Sequence, residues 1–322
     1  TDPDRVLGLL NRKRKSARDL ALLLSPGADQ VLEQVARYAS RTTFERFGRT
    51  VGLYVPVYLS NYCVGRCPYC GFKAGEKIVR RTLTMDELTE EMKVVQGYGM
   101  RDVLLVAGES RKEVNIDYLG QAVSLVREYV PSVSVEVAPL SEDHYRALTE
   151  YGAYGVTLYQ ETFDQDRYRD LHPTGPKADY RHRIQSLDRA GAAGVRKLTA
   201  GALFGLAPWR QEGLRLGMYV SYLEKRWWKS QVSVGLPRLH SAPEDFPIPF
   251  PVDDRALVHL IVALRVFSED LGIAISTRES QELRTNLLGL GVTYMSAGSK
   301  TEPGGSRASG GSGKRGEVAD VR

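Results

Sequence analysis

Three cysteines within eight positions are the residues of this chain best suited to do chemistry. Cys63, Cys67 and Cys70 lie in the stretch SNYCVGRCPYCGF, and the 322 residues contain no other cysteine. An odd number leaves one thiol unpaired, and side chains this close along the chain are poorly placed to form a disulfide. The spacing instead favours three thiolates that bind one metal centre.

Zinc and an iron–sulfur cluster are the two candidates for that metal centre. A structural zinc site usually takes four protein ligands, but there is no fourth cysteine, and the first of the five histidines is His144. A cubane [4Fe–4S] cluster held by three thiolates leaves one iron open to an outside ligand. The three cysteines therefore fit a [4Fe–4S] cluster better than zinc.

The cysteines directly follow the first strand of an alternating pattern of strands and helices. Amphipathic helical stretches separate the strands, and one of them opens with a capping box formed by Thr84 and Glu87. This alternation predicts an α/β fold, a parallel (β/α)8 barrel of the TIM type, with a doubly wound open sheet as the alternative. In such a barrel the cysteines would lie at the active-site end, on a loop after the carboxyl end of a strand. Strands are predicted at 53–59, 102–107, 132–137, 155–160, 197–205, 231–236, 272–277 and 291–296.

Both ends of the chain differ from this alternating pattern. Residues 1–50 have helical periodicity that is broken at the SPG triplet, which predicts an N-terminal helical extension. The barrel is expected over 51–299. The polar, glycine-rich stretch that follows predicts a flexible tail over 300–322.

Composition narrows the class of protein. Hydrophobic residues make up 42% of the chain, enough for a packed core, and the net charge is only +5. No apolar run approaches the ~20 residues of a membrane span, no signal peptide opens the chain, and no basic stripe carries interleaved aromatics. We therefore expect a cytoplasmic protein that binds neither membrane nor nucleic acid, in a compartment that keeps its thiols reduced.

The cysteine motif CVGRCPYC has the CxxxCxxC spacing of the radical S-adenosylmethionine (SAM) superfamily. In that superfamily the open iron binds the amino and carboxylate groups of SAM, and the reduced cluster cleaves SAM to a 5′-deoxyadenosyl radical. Over residues 50–305 the chain resembles the aromatic amino-acid lyases of this superfamily, and most closely the 2-iminoacetate synthases, the tyrosine lyases of thiamine biosynthesis. The matching stretches are YLSNYCVGRCPYCGF, LLVAGES, YQETFDQDRY, HPTGPKADYRHR, STRES and MSAGSKTEPGG.

The resemblance implies residues for the SAM site. Tyr69 matches an aromatic position near the SAM adenine. Gly108 and Glu109 match a Gly-Gly-Glu element that accepts hydrogen bonds from the SAM ammonium group. Arg183 matches an arginine for the SAM carboxylate. The polar pair Gln160-Glu161 ends the fourth predicted strand, where it could reach the ribose or the substrate amine.

For the substrate, Arg278 is the favoured residue, because a guanidinium after the seventh strand can grip an amino-acid carboxylate through two hydrogen bonds. Ser296 ends the eighth strand and could add a hydroxyl to the same carboxylate. Tyr58, near the end of the first strand, resembles a tyrosine that contacts substrate in these lyases. Core packing competes with that role for Tyr58, and turn formation competes for Ser296.

The resemblance implies cleavage of the Cα–Cβ bond of L-tyrosine to p-cresol and 2-iminoacetate (dehydroglycine), with a flavodoxin or ferredoxin as reductant and thiazole synthase as a possible partner. The alternatives are the tyrosine lyase of [FeFe]-hydrogenase maturation and a related tryptophan lyase. The hydrogenase enzymes bind a second cluster through later cysteines, and no cysteine follows Cys70 here. An iron–sulfur scaffold or electron carrier is the alternative from another class, although such carriers usually use four cysteines.

Overall fold

The computed structural model describes residues 2–243 and 246–305. Within that part of the chain, eight parallel strands close into a barrel in chain order, so that the eighth strand pairs with the first. This confirms the predicted TIM-type barrel and rules out the open sheet. The strands are β1 Gly52–Ser60, β2 Asp102–Ala107, β3 Ser132–Glu136, β4 Gly155–Tyr159, β5 Lys197–Gly201, β6 Gln231–Gly235, β7 Gly272–Ile275 and β8 Tyr294–Ser296.

Helices surround the strands and also form the first fifty residues. The capping box at Thr84 and Glu87 is present at the start of the first helix after β1, as predicted. No helix of the described residues is both long and apolar enough to cross a bilayer. The helices are α1 Pro3–Leu10, α2 Ala17–Leu23, α3 Leu32–Phe47, α4 Met85–Gly97, α5 Ile116–Arg127, α6 Glu142–Glu150, α7 Gln165–Leu171, α8 Tyr180–Ile184, α9 Ser186–Ala192, α10 Trp209–Arg226, α11 Asp254–Phe267 and α12 Gln281–Leu287, with 3-10 turns at Pro26–Val31 and Pro176–Ala178.

Side-chain alternation along β1 separates the barrel interior from the layer between strands and helices. Val55, Val57 and Leu59 pack in the large core under the helices. Tyr54 and Tyr58 pack instead with Leu104 and Val106 of β2, in a separate small cluster. Tyr58 therefore faces the inside of the barrel.

The N-terminal helices pack on the barrel helices and share their core. A Cβ added at Gly217 of α10 would lie 2.3 Å from Leu20 of α2, and one at Gly213 would lie 3.4 Å from Leu24. Both leucines belong to the same buried cluster as the barrel helices. Glycine on α10 thus lets α2 approach closely, so the first helices are joined to the barrel by continuous apolar packing.

Seven strands lie within three residues of their predicted bounds, and β5 differs most. The strand predicted at 197–205 ends at Gly201, where the chain turns into a loop with an isolated bridge between Phe204 and Arg238. Between β4 and β5, the helical stretch over 180–192 is divided at Gln185 into α8 and α9. Of the predicted tail, residues 300–305 form a turn closed by Gly305 N–H donating to the Glu302 carbonyl, while residues 306–322 lie outside the described part.

Candidate active site

The cysteine loop begins where β1 ends and is held by the segment that follows it. Asn61 donates through Nδ2 to the Val79 carbonyl and accepts at Oδ1 from the Arg81 amide, at 2.8 Å each. The guanidinium of Arg80 donates to the carbonyls of Asn61, Phe72 and Lys73. One arginine and one asparagine thereby fix a loop that has little regular structure of its own.

All three thiols lie at the carboxyl-terminal mouth of the barrel, which we call the upper mouth. Cys63 and Cys70 line an opening of about 750 Å³ that is partly open to solvent, and Cys67 is buried beside it with 5% exposure. Backbone N–H groups of Gly65 and Phe72 donate to the sulfurs of Cys63 and Cys70, each at 3.4 Å. Such donors stabilise sulfur that carries negative charge, as a metal-bound thiolate does.

The three thiols are the residues that would hold a [4Fe–4S] cluster. Among the described residues, no group of three or more His, Cys, Asp or Glu side chains could hold a metal ion. A cubane does not require such convergence, because each thiolate binds a different iron. Burial raises the pKa of Cys67 to about 11, and Lys177 opposes the rise. Binding of iron must therefore displace a proton from this thiol.

Next to the thiols, four buried charges from three parts of the chain meet at the same opening. Arg183 Nη1 lies 2.7 Å from Glu109 Oε1 and its Nη2 lies 3.3 Å from Glu161 Oε1. Lys177 Nζ lies 2.6 Å from Glu161 Oε1 and 3.8 Å from Glu109 Oε1. We call these four side chains the charge cluster. The formal charges of its two cations and two carboxylates cancel, but each side chain still presents its own charge to the opening.

The members of the charge cluster stabilise one another in their charged forms. Burial alone would raise the pKa of Glu109, but Arg183 and Lys177 outweigh it and lower the pKa below its ordinary value. Burial would lower the pKa of Lys177, and Glu161 outweighs it, so that the pKa is raised. Glu109, Lys177 and Arg183 are therefore charged at neutral pH, each stabilised by its neighbours.

The four charged side chains also leave hydrogen-bonding capacity for a ligand. Glu109 Oε2 is buried and has no partner among the described residues. Arg183 uses Nε, Nη1 and Nη2 for one bond each, which leaves two of its five N–H groups for a further acceptor. An unpaired buried carboxylate oxygen beside spare guanidinium donors suits a ligand that carries an ammonium and a carboxylate, as SAM does.

Two backbone positions allow the charged side chains and the cysteine loop to meet. Glu161 has φ of 70°, the only positive φ at a non-glycine residue in the described chain. This left-handed conformation costs about 1 kcal/mol or more for a residue with a Cβ, and at a functional site such a cost indicates a required side-chain direction. At Gly108 a Cβ would lie 2.3 Å from the Tyr62 carbonyl oxygen, so only glycine lets the cysteine loop meet the end of β2.

Tyr69 lines the opening and is fixed through its hydroxyl. The Tyr69 hydroxyl lies 2.7 Å from His172 Nε2, and His172 Nδ1 lies 2.8 Å from the Tyr168 carbonyl oxygen. The carbonyl can only accept, so Nδ1 carries the proton and Nε2 accepts from Tyr69. Burial lowers the pKa of His172 to about 4, and the nearby charge of Lys177 adds to the effect, so the ring is neutral.

The predicted SAM residues come together with one exception. The exception is Gln160, which does not line the opening; its amide is buried elsewhere, and its oxygen and nitrogen both lack partners among the described residues. Thr157, two residues along from Tyr159 in β4, lines the inside of the barrel, so strand alternation directs Gln160 outward. The opening is lined by Cys63, Cys70, Tyr69, Gly108, Glu109, Glu161 and Arg183.

The three predicted substrate residues lie close to the upper mouth but not in its lining. Tyr58 packs edge-on against Phe72, which does line the opening, with ring centroids 6.1 Å apart. Ser296 Oγ accepts from the backbone N–H of Thr277 at 3.0 Å and so holds the loop that carries Arg278. Ser296 therefore has a turn-forming bond, the competing role considered from the sequence, and Arg278 follows β7 as predicted.

Sequence reasoning gave no role to Lys177, His172 or Arg238. Lys177 lies within the quoted stretch HPTGPKADY, but no spacing rule links it to the two glutamates. His172 supports the Tyr69 hydroxyl, a contact between residues that are far apart in the sequence. Arg238 is buried and donates to Glu279 through both Nε and Nη2, and its Nη2 also pairs with Asp254. These bonds link the loop after β6 to the loop after β7.

Comparisons with known proteins agree with this site. The family model described as the Radical SAM superfamily matches residues 57–208, and the one described as the Biotin and Thiamin Synthesis associated domain matches residues 236–309. The 2-iminoacetate synthase of Escherichia coli is 38% identical over 297 residues, which cover 92% of this chain and 79% of that protein. The same figures hold for the 2-iminoacetate synthase of Salmonella typhimurium.

Solved structures show the same fold over nearly the whole chain. HydG, a maturase of the [FeFe]-hydrogenase, superposes with a TM-score of 0.91 at 27% identity, covering 96% of this chain and 71% of that one. HydG from Carboxydothermus hydrogenoformans gives a TM-score of 0.89 at 29% identity, covering 99% and 75%. With its thiols and buried charges gathered at one mouth of the barrel, the chain belongs to the radical SAM superfamily and, within it, to the family of the 2-iminoacetate synthases.

Proposed function

We propose that this protein is a tyrosine lyase that cleaves the Cα–Cβ bond of L-tyrosine to p-cresol and 2-iminoacetate. Members of the radical SAM superfamily use a [4Fe–4S] cluster and SAM, and the chain carries residues for both. The observation that carries the proposal is the meeting of three thiols and four buried charges at one opening, in a chain 38% identical to a 2-iminoacetate synthase.

In this proposal Cys63, Cys67 and Cys70 would hold the cluster through their thiolates. Glu109 accepts from an ammonium at its unpaired Oε2, and Arg183 offers its spare N–H groups to a carboxylate. When bound, the cluster and SAM supply the one-electron chemistry that removes a hydrogen atom from the tyrosine amino group. Tyr69 closes one side of the opening with a ring that its hydrogen bond to His172 keeps in place.

The chain's own contribution is binding, orientation and exclusion of water. Arg278, on the loop held by Ser296, binds the tyrosine carboxylate, and Tyr58 packs against the substrate from inside the barrel. Lys177 pairs with Glu161 at 2.6 Å and, together with Arg183, lowers the pKa of Glu109 beside the thiols. These roles rest on the positions of the residues around the upper mouth and on the family resemblance.

The proposed partners follow from the reaction. A reductant must supply electrons, for which a flavodoxin or ferredoxin is suited, and the hydrolysable product 2-iminoacetate calls for a thiazole synthase that consumes it at once. Free thiols at Cys63, Cys67 and Cys70 suit a reducing, cytoplasmic setting.

Product analysis tests the function. Anaerobically reconstituted protein given SAM, reductant and tyrosine should form 5′-deoxyadenosine and p-cresol in equal amounts, with glyoxylate appearing as 2-iminoacetate hydrolyses. Cleavage of tryptophan but not tyrosine would reject the assignment, and carbon monoxide at the level of p-cresol would assign the chain to hydrogenase maturation.

Replacement of Cys67 by alanine is the matching ligand test. Because one of three iron ligands is lost, the reconstituted variant should lose the brown cluster absorption and SAM cleavage together. A variant that retains the wild-type absorption would show that Cys67 is not a ligand.

A further inference from the structure

We infer that the outer side of the cysteine loop is the docking surface for a small acidic electron-carrier protein. We define this carrier surface by four exposed residues, Val64, Arg66, Lys77 and Val79. The inference rests on the proposed function, because that function requires electrons from outside. It adds the place on the molecule where the carrier docks and the electrons enter.

The balance of the proposed reaction sets the need for a carrier. The atoms of tyrosine equal those of p-cresol plus 2-iminoacetate, so tyrosine cleavage itself neither gains nor loses electrons overall. Conversion of SAM to methionine and 5′-deoxyadenosine takes up two electrons and one proton. Each turnover therefore consumes two electrons, which a one-electron carrier delivers in two encounters.

The thiols come close to the protein surface on one side. The Gly65 N–H lies 3.4 Å from Cys63 Sγ, and an ideal Cβ on Gly65 would lie 3.5 Å from Cys63 Sγ and 3.6 Å from Cys67 Sγ, so Gly65 lies directly beside both sulfurs. Its chain neighbours Val64 and Arg66 are exposed. Across the loop, an ideal Cβ on the exposed Gly175 would lie 3.6 Å from the Val64 carbonyl oxygen. A partner on this side is thus separated from the sulfurs by about one residue.

Positive charge is concentrated around this loop. Residues 64–81 contain five basic residues and one acidic residue, which leaves 39 basic and 38 acidic residues in the rest of the chain. Within the described ranges, Arg66 and Lys77 have no ion-pair partner, whereas Lys73 is paired with Glu76 and Arg81 with Glu87. The two unpaired cations give an approaching acidic protein a field that speeds and orients its encounter.

Exposed apolar residues complete the surface. Val79 is 86% exposed and Val64 is 50% exposed, although valine is usually buried. The segments that carry them are hydrogen-bonded to each other, by Asn61 to the Val79 carbonyl and by the Ala74 N–H to the Gly65 carbonyl. Small apolar contacts beside two unpaired cations suit a short-lived complex of limited area, as electron-transfer partners form.

The opposite mouth of the barrel offers a chemically matched control. The helix α10 returns from the upper mouth, so its carboxyl end lies at the lower mouth, where β6 starts. There Lys225 and Lys229 are exposed beside Trp228, which is 75% exposed. This surface has the same charge and apolar character but lies at the far end from the cysteine loop.

The test compares Arg66→Glu/Lys77→Glu with Lys225→Glu/Lys229→Glu, using an acidic flavodoxin as the probe. Two measurements are made on reconstituted protein: the binding affinity for oxidised flavodoxin, and the second-order rate at which reduced flavodoxin bleaches the cluster absorption. Photoreduced deazaflavin, a small uncharged reductant, replaces flavodoxin in a parallel series. Val79→Ser tests the apolar contact at a position too exposed to affect folding.

We expect the first double variant to lose about tenfold or more in both affinity and rate at low ionic strength, with the difference shrinking at about 0.5 M salt. Val79→Ser should weaken binding in the same direction. The second double variant should behave as wild type, and deazaflavin should reduce all proteins equally. Equal loss in both double variants, or none in the first, would overturn the inference.

The outcome is independent of the lyase reaction. If deazaflavin supports p-cresol formation but the affinity for flavodoxin does not depend on Arg66 and Lys77, the docking inference alone is wrong. If flavodoxin binding depends on Arg66 and Lys77 but no p-cresol forms with either reductant, the proposed substrate is wrong and the docking surface stands.

Discussion

Lys177 shows how one residue can join parts of a site that are distant in sequence. Its ammonium touches both Glu161 and Glu109, lies 6.0 Å from the centre of the Tyr69 ring, and lowers the pKa of His172. Without a second cation the two carboxylates would share only Arg183 in a buried setting, where an unbalanced charge is costly. At the scale of single residues the site is thus held together by charge balance.

Replacing Lys177 by glutamine should lower the free energy of unfolding by about 3 kcal/mol, because one partner of a buried charged group is removed. SAM affinity, measured by calorimetry on reconstituted protein, should fall as the carboxylates rearrange. Lys93→Gln is the control, since Lys93 is exposed and pairs with Glu90 on the same helix, α4. Similar effects in both variants would show that the charge cluster has no special role.

His172 predicts a pH dependence of stability. Its pKa is lowered by burial from 6.5 to about 4, so between these values the unfolded chain binds a proton that the folded protein does not. Stability from this residue is therefore complete above about pH 6.5 and decreases as the pH falls toward 4. Between about pH 7.5 and about pH 5 the loss amounts to roughly 2 kcal/mol.

Urea unfolding of wild-type protein and His172→Gln at those two pH values measures this contribution. The glutamine can still accept from the Tyr69 hydroxyl but does not titrate, so the variant should lose about 2 kcal/mol less on acidification. The same loss in both proteins would mean that His172 is protonated in the folded state.

At the scale of elements, the site depends on how closely the cysteine loop meets the end of β2. The Val64 N–H donates to the Glu109 carbonyl and the Gly108 N–H donates to the Ser60 carbonyl, which join the two segments at the backbone. A register shift between Tyr58 and Ser60 in the pairing of β1 with β2 changes the direction of the chain at this point. Backbone proximity, rather than side-chain packing, brings Glu109 next to the thiols.

Gly108→Ala should push these segments apart, because a Cβ would lie 2.3 Å from the oxygen and 3.0 Å from the carbon of the Tyr62 carbonyl. We expect a destabilisation of about 1–3 kcal/mol and reduced cluster content after reconstitution, read from iron analysis and absorption. Gly97→Ala is the matched control, since no atom lies within 4 Å of its added Cβ. Full cluster content in Gly108→Ala would show that the loop adapts.

At the scale of the whole molecule, the N-terminal helices and the barrel form one packed unit. Arg210 on α10 donates to the Leu24 carbonyl and pairs with Asp29, and His259 on α11 binds Asp29 and the Leu23 carbonyl. These bonds add to the apolar contacts of Leu20 and Leu24. We therefore expect the first fifty residues to unfold together with the barrel.

Leu20→Ala tests this cooperativity. Loss of a fully buried leucine should cost about 3 kcal/mol and shift one common unfolding transition, followed by far-UV and near-UV circular dichroism. Met218→Ala on α10 is the control, because Met218 is 50% exposed and should change stability by under about 1 kcal/mol. A separate early transition in Leu20→Ala would show that the N-terminal helices are an independent unit.

Local patterns in the sequence were sufficient for most of the fold. Strand and helix periodicity located all eight strands, although β5 was predicted four residues too long, because Ala202 to Phe204 are as buried and apolar as the strand itself. Cys63, Cys67 and Cys70 stood out by spacing alone. Glu109 and Glu161 stood out because polar residues directly follow buried strands.

The sequence by itself determined the barrel, the cysteine motif and the polar residues at the strand ends, since these depend on neighbours along the chain. Only the tertiary structure decided which of those residues meet: it added Lys177 to the charge cluster, set His172 behind Tyr69, and turned Gln160 away from the opening. Strand order alone does not reveal such contacts, because they depend on the direction of each side chain and on loops that no periodicity describes.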